Sequence, residues 1–208
     1  MRLDAPELRR LSAHRLSTEP PPLAGRGDHD LNPETASEMS GSGKVIAAAV
    51  LIPIVIRPTG LTVLLTQRTA DLPSHPGQVA FPGGKVDPGD AGPLAAALRE
   101  AEEEIGLDRR FVEPLGFLDG YQTGTGFRIA PAVALVEEGF SLRLNTREVA
   151  DAFEVPLAFL LDPVNHLTHS REWRGKLRSF YAMPYGERYI WGATAGMIRN
   201  LYERLMLA

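Results

Sequence analysis

A mixed α/β sandwich is the fold class this sequence predicts, and three observations predict it. Two β-rich runs, VIAAAVLIPIVI and LTVLLTQR, flank a Pro-Gly turn at residues 57–60. A helix signal with its own start and stop residues lies between Asp90 and Gly106. Beyond it, strand-like and helical runs interleave without the regular rhythm of a doubly wound sheet.

Composition narrows the classes further. The chain has 208 residues, 44% hydrophobic and 23% charged, which is enough apolar material for one well-packed core. Lys+Arg 22 against Asp+Glu 26 leaves a formal charge of -4, so a broad basic surface for duplex nucleic acid is excluded. Cysteine is absent, which removes disulfide scaffolds, thiolate zinc sites and a cysteine nucleophile. The longest apolar stretch, residues 45–56, is interrupted by Pro53 and is shorter than the roughly 18 residues of a membrane helix. The N-terminal MRLDAPELRRLSAHRL alternates charges and lacks the continuous apolar core of a secretory signal. The expectation is a cytoplasmic protein with a small-molecule partner and with neither nucleic acid nor membrane.

Residues 4–16 read as a short amphipathic helix with Leu8, Leu11 and Leu16 near one side. The Pro-, Gly-, Ser- and Asp-rich stretch after it reads as a linker or wrapping arm. The expected division is therefore an N-terminal helix and flexible arm over 1–43 and a main domain over 44–208. After the two strands, a glycine- and proline-rich loop from Asp71 to about Gly92 leads into the helix. Asp90 is its expected cap, Pro93 falls in the first turn where a missing N–H costs little, and Gly106 stops it. VEPLGFLDGYQT and FRIAPAVALV read as strands, and VPLAFLLDP as a short helix ending before Pro163. Residues 167–173 and 177–185 read as a hairpin. Residues 193–206 read as a terminal helix with Ala195, Ile198, Leu201, Tyr202 and Leu205 as its apolar stripe.

Chemistry concentrates in FPGGKVDPGDAGPLAAALREAEEEIGL, residues 81–107. At about 100° per residue, Leu94, Ala97, Leu98, Ala101 and Ile105 share one helix face. Glu100, Glu103 and Glu104 gather on another, at i, i+3 and i+4. Like charges at these spacings repel, and they sit toward the helix C-terminus, where the dipole disfavours negative charge. A bound divalent cation reverses both penalties, and carboxylate-only ligands suit Mg²⁺ or Mn²⁺. Arg99 can hold a neighbouring carboxylate by a bidentate pair and so fix its aim. Gly83 and Gly84 suit a turn whose backbone passes close to metal or phosphate.

This segment resembles the Nudix box, GX5EX7REUXEEXGU with U aliphatic. Arg99, Glu100, Ala101, Glu103, Glu104, Gly106 and Leu107 match its second half. The first half departs: Gly84 stands one residue too far upstream, as a one-residue loop insertion would place it, and the early acidic position is served by Asp90 or not at all. Upstream, LLTQRTADLPSHPGQVAFPGG resembles the second signature of the coenzyme A pyrophosphatase branch, LLTXR(S/A)X3RX3GX3FPGG. Leu64, Leu65, Thr66, Arg68, Gly77, Phe81, Pro82, Gly83 and Gly84 fall at the right spacing, Thr69 replaces Ser or Ala, and Pro73 replaces the expected Arg.

The resemblance implies a Nudix-type α/β/α sandwich with a mixed central sheet, and a metal-dependent hydrolysis of the coenzyme A diphosphate to adenosine 3',5'-bisphosphate and 4'-phosphopantetheine. It implies Glu103 and Glu104 as main ligands of Mg²⁺ or Mn²⁺, with Glu100 completing the site and Arg99 in the catalytic set. Arg68, Gly77, Gly83 and Gly84 are the expected substrate-binding residues, with His75 as a further phosphate contact. Glu148 and Glu154 are the candidates for a general base. A homodimer is the family's expectation. Phe117, Tyr121 and Phe127 are candidates for adenine stacking, and the GTGFR segment, residues 124–128, for a substrate-side loop in which Arg128 reaches phosphate. Two alternatives stand beside this reading. One is a Nudix pyrophosphatase for ADP-ribose, NADH or another nucleoside diphosphate derivative, favoured by Pro73. The other is a non-catalytic nucleotide-binding regulatory module, which has no need for clustered carboxylates.

Other motifs fail. GSGK at 41–44 lacks the first glycine of a phosphate loop, since Glu38 stands there, and GXSXG and HEXXH are absent. His166 and His169 read as polar surface rather than as a metal pair.

Overall fold

The computed structural model describes residues 3–22, 25–35, 45–72, 75–173 and 175–207. Pro73 and the GSGK segment lie outside the described residues. The helices are α1 (Ala5–Arg15), α2 (Pro93–Ile105), α3 (Leu157–Leu160) and α4 (Ala193–Tyr202). The strands are β1 (Arg26–Gly27), β2 (Ile46–Val55), β3 (Thr62–Arg68), β4 (Val79–Ala80), β5 (Gly83–Lys85), β6 (Val112–Phe117), β7 (Tyr121–Gln122), β8 (Phe127–Val136), β9 (Val149–Pro156), β10 (Leu167–Trp173), β11 (Lys176–Tyr185) and β12 (Arg188–Trp191).

One mixed sheet runs β1-β7-β8-β2-β3-β4, with β5 paired to β2, β6 to β8 and β9 to β3; a smaller antiparallel sheet holds β10-β11-β12. At its centre β2 and β8 run parallel, in register from Ile46↔Phe127 to Val55↔Val136. Alternation along β2 sends Ala49, Leu51 and Val55 to one core and Val50, Ile52 and Ile54 to the other. Both faces are covered, which is why this strand reads as an almost continuous apolar run. Pro53 falls between the residues of β2 that pair with β5 and those that pair with β3, at a break in the antiparallel ladder.

Helix α2 covers one face with Ala96, Ala97, Ala101 and Ile105. The other face is covered by α1 through Leu8 and Leu11, by α3 through Leu157 and Leu160, and by α4 through Ala195, Ile198 and Leu201. The result is a three-layer α/β/α sandwich. Helix α1 starts on Asp4, whose side chain accepts from the Glu7 N–H, and buries Leu8 completely. No helix among the described residues is long and apolar enough to cross a membrane.

Within the expected loop, residues 79–80 and 83–85 are strands, because β4 pairs with β3 and β5 with β2. Likewise β9 and β12 join existing edges at places where local sequence announces no strand. In each case the partner strand supplies the order.

Candidate active site

Helix α2 begins on Gly92, with φ 145° and no capping side chain, and Pro93 follows. The expected cap at Asp90 is thereby corrected. Asp90 turns to Arg99 instead: its two oxygens accept from Arg99 Nε and Nη2, each at 3.0 Å, and Oδ2 also accepts from the Asp87 N–H at 2.8 Å. The Arg99 guanidinium holds the Asp90 carboxyl below the usual carboxylate range. The remaining nitrogen, Nη1, donates to both Glu100 Oε1 and Glu103 Oε2 at 3.1 Å. Arg99 therefore hydrogen-bonds three carboxylates, with Asp87 a fourth at 3.7 Å, and its bidentate partner lies in the preceding loop.

The three glutamates separate by depth. Glu104 is 5% exposed, and its Oε2 accepts the Gly83 N–H at 3.1 Å. Burial pushes its carboxyl up to about 7; the Gly83 N–H opposes this and Glu100 adds to it. Glu100 is half-buried and also raised, by burial first, with Arg99 pulling the other way. Glu103 stays 58% exposed at its side chain and does not line the cleft. The structure thus brings Glu100 and Glu104 into the cleft and leaves Glu103 linked to them through Arg99.

Gly83 and Gly84 are required by contact. A β-carbon on Gly83 would lie 2.4 Å from the Ala49 carbonyl oxygen, and one on Gly84 would lie 2.4 Å from Glu100 Cδ. Strand β5 is pressed between β2 and the glutamate helix, with no room for side chains on that side.

Arg68 and Glu148 reach the same place through a bulge. Strands β3 and β9 pair regularly until the register shifts between Gln67 and Arg68, where Arg68 lies opposite Val149. A bulge re-aims the side chain that follows it. Arg68 lines the cleft, and its field lowers the Glu104 carboxyl while Glu148 raises it. Glu148 also lines the cleft, with Oε1 accepting from Asn145 Nδ2 at 2.9 Å. Glu154, the other base candidate, is corrected to a structural role: Arg57 pairs with both of its oxygens and Thr62 Oγ1 donates to it at 2.5 Å.

The cleft has a volume of about 930 Å³. His75 lines it but Gly77 does not; Gly77 has φ 68° in the turn that returns to β3. Of the aromatic candidates, Phe117 is core, whereas Tyr121 and Phe127 line the cleft. Tyr121 donates its hydroxyl to Asp28 at 2.9 Å, and burial keeps the phenol protonated by raising it well above its ordinary value. Of the GTGFR segment, Gly124, Thr125 and Phe127 line the cleft, next to Thr123, but Arg128 does not. His166 is bonded to the Leu160 carbonyl oxygen and His169 to the Tyr189 hydroxyl, so they form no metal pair. Sequence reasoning missed two walls. The arm contributes Asp28 and Asn32, and the small sheet contributes Arg171, Arg178, Phe180 and Trp191. No local signal marks these residues, which reach the cleft only through tertiary packing.

The donor set consists of carboxylate oxygens, which fits a hard divalent cation and not a soft one. Among the described residues no three His, Asp or Glu side chains already converge as a complete metal shell. The buried, raised Glu104 carboxyl beside Glu100 and Glu148 is the place where a cation would relieve both desolvation and like-charge repulsion.

The profile of the NUDIX domain matches residues 45–173. A Photorhabdus laumondii protein named uncharacterized Nudix hydrolase NudL is 44% identical over 162 residues, covering 77% of this chain and 85% of that one. The Escherichia coli K12 protein of the same name is 44% identical over 155 residues, covering 74% and 80%. A crystal structure of a Deinococcus radiodurans protein superimposes with a TM-score of 0.50 at 14% identity, covering 76% of this chain and 83% of that one, a likeness of fold alone. The matched region holds the glutamate helix, Arg68 and the paired glycines, and the chain belongs to the Nudix domain family as a hydrolase acting on pyrophosphate bonds.

Proposed function

We propose that this enzyme hydrolyses the diphosphate of coenzyme A or its derivatives, releasing adenosine 3',5'-bisphosphate and 4'-phosphopantetheine. The observation that carries the reading is the meeting of two motifs in one cleft. Glu100 and Glu104 come from the glutamate helix, and Arg68, Gly83 and Gly84 come from the LLTQR…FPGG segment. A specificity signature that lines the same cavity as the carboxylates is where a substrate-reading element belongs.

Mg²⁺ or Mn²⁺ fits the donor set; Glu100 and Glu104, which line the cleft, would hold it, with Glu103 linked to them through Arg99. When bound, such an ion neutralises the diphosphate and lowers the pKa of attacking water. The chain's own groups do the rest. Arg99 keeps Glu100 and Glu103 together against their repulsion. Gly83 aims Glu104 through its N–H, and the bare Cα of Gly84 lets Glu100 lie against the strand. Arg68 presents a buried Nε without a hydrogen-bond partner, a group suited to a phosphate oxygen. Glu148, which lines the cleft and is oriented by Asn145, is the group we assign to take the proton of the attacking water.

Product analysis by mass spectrometry tests this reading, with coenzyme A, ADP-ribose and NADH incubated in parallel with Mg²⁺ and with Mn²⁺. Metal-dependent release of 4'-phosphopantetheine, faster than turnover of the other two, is expected. Preference for ADP-ribose or NADH would overturn the coenzyme A assignment and leave the glutamate site standing.

A further inference from the structure

The small sheet gives the cleft a basic wall. Strands β10 and β11 set Arg171 opposite Arg178, so both side chains leave one face, and both line the cleft. The same register places Phe180 on that face, and Trp191, opposite Ala182, joins it. The Arg171 guanidinium lies 4.8 Å above the Trp191 ring, which packs against Phe180 at 5.2 Å. Like charges directly opposite on neighbouring strands repel. Stacking on Trp191 gives Arg171 a fixed orientation.

The wall is also held in place. Asn32 Oδ1 accepts the Ser179 N–H at 2.8 Å and its Nδ2 donates to the Ser179 carbonyl oxygen at 2.9 Å, which anchors the strand next to Arg178. On the other side, a β-carbon on Gly124 would lie 3.3 Å from Arg178 Nη1 and 3.5 Å from Asp28 Oδ2. Asp28 also belongs to this part of the cleft, its carboxylate accepting from the Tyr121 hydroxyl and the Gly124 N–H. Two guanidiniums on one face of a nucleotide-sized cleft, beside an aromatic surface, match a dianionic phosphate carried next to a base.

We propose that Arg171 and Arg178 form a subsite for a phosphomonoester that the substrate carries outside its diphosphate. Coenzyme A has such a group on its ribose; ADP-ribose and NADH have none. This inference rests on the pyrophosphatase reading above and deepens it, because it assigns substrate choice to a hairpin outside both motifs.

The test compares coenzyme A with 3'-dephospho-coenzyme A, which differ only in that phosphate, using the wild-type enzyme and the variant Arg171→Gln/Arg178→Gln. The wild type is expected to prefer coenzyme A by roughly tenfold or more in kcat/KM, the size of one or two charge-assisted hydrogen bonds. In the double variant that preference should collapse to near unity, with the change mostly in KM. Parallel losses on both substrates with the preference intact would overturn the subsite, as would a wild type that does not discriminate. Hydrolysis of neither substrate by the wild type would overturn the coenzyme A reading, and the subsite with it.

Discussion

Gly84 carries the Glu100 carboxylate directly against its Cα, so closely that a β-carbon at position 84 would meet Glu100 Cδ and Oε1 at 2.4 Å. The glycine pair of the loop and the first glutamate of the helix are therefore one device: the strand lacks side chains so that the carboxylate has a seat. Gly84→Ala should displace the end of the Glu100 side chain and its bond to Arg99 Nη1, while the backbone around it stays in place, at little cost in stability. We expect kcat/KM to fall roughly 100-fold, the penalty of an ångström-scale misplacement, with the melting temperature nearly unchanged. Full activity in the alanine variant would detach Glu100 from the chemistry.

Glu148 and Glu154 offer a paired control. Glu148→Gln should lower kcat by roughly 100-fold or more, as loss of a general base does. Glu154→Gln should keep near wild-type activity and lose about 1 kcal/mol of stability through its bonds to Arg57 and Thr62. Arg57 holds the Glu154 carboxyl below its ordinary value of 4.5. Its stabilisation is therefore present above that value and lost as pH falls through the lower folded value. Denaturant titrations of both proteins at pH 7 and at pH 3 check this; equal stability loss at the two pH values would contradict it.

Glu104 has the opposite sign. Burial raises its carboxyl from 4.5 to about 7, so the folded chain holds a proton there that the unfolded chain has released. Its contribution is fully present below about pH 4.5 and lost as pH rises through about 7. In EDTA, the wild type should lose up to about 3 kcal/mol from this group between pH 4.5 and pH 8. Glu104→Gln should flatten that slope, abolish turnover and leave the protein more stable than wild type at pH 8. Mg²⁺ should stabilise the wild type far more than the variant. Thermal melts with and without EDTA give both readings, and parallel pH profiles would count against the assignment.

Leu8 lies outside the matched domain region yet is fully buried in the core shared by α1, α3 and α4. Leu8→Ala should cost about 2–4 kcal/mol by urea unfolding, the range for a large-to-small change in a packed core. A loss near zero would show α1 to be dispensable packing.

What was legible in the sequence was local. Helix α2 announces itself because Ala97, Ala101 and Ile105 repeat at the helical period, with Pro93 and Gly106 at its ends. The β2 and β8 runs announce themselves because strands buried on both faces are apolar throughout. Both motifs are contiguous, so their residues are readable without any fold. Strands β4, β5 and β9 were not readable, because partners distant in the chain hold them in the sheet.

The sequence by itself determined the glutamate helix, its acidic cluster and the paired glycines, since spacing along one helix or one turn follows from backbone geometry alone. Only the tertiary structure decided which glutamate is deep and which is exposed. Glu103 and Glu104 are neighbours in the chain, but about 100° of helical rotation on a fixed sheet buries one and leaves the other in water. It also decided that Asp90 answers Arg99 rather than capping the helix, that Glu148 rather than Glu154 faces the cleft, and that the arm and the small sheet close it. Those outcomes depend on sheet pairing and layer packing between distant segments, which no local pattern encodes.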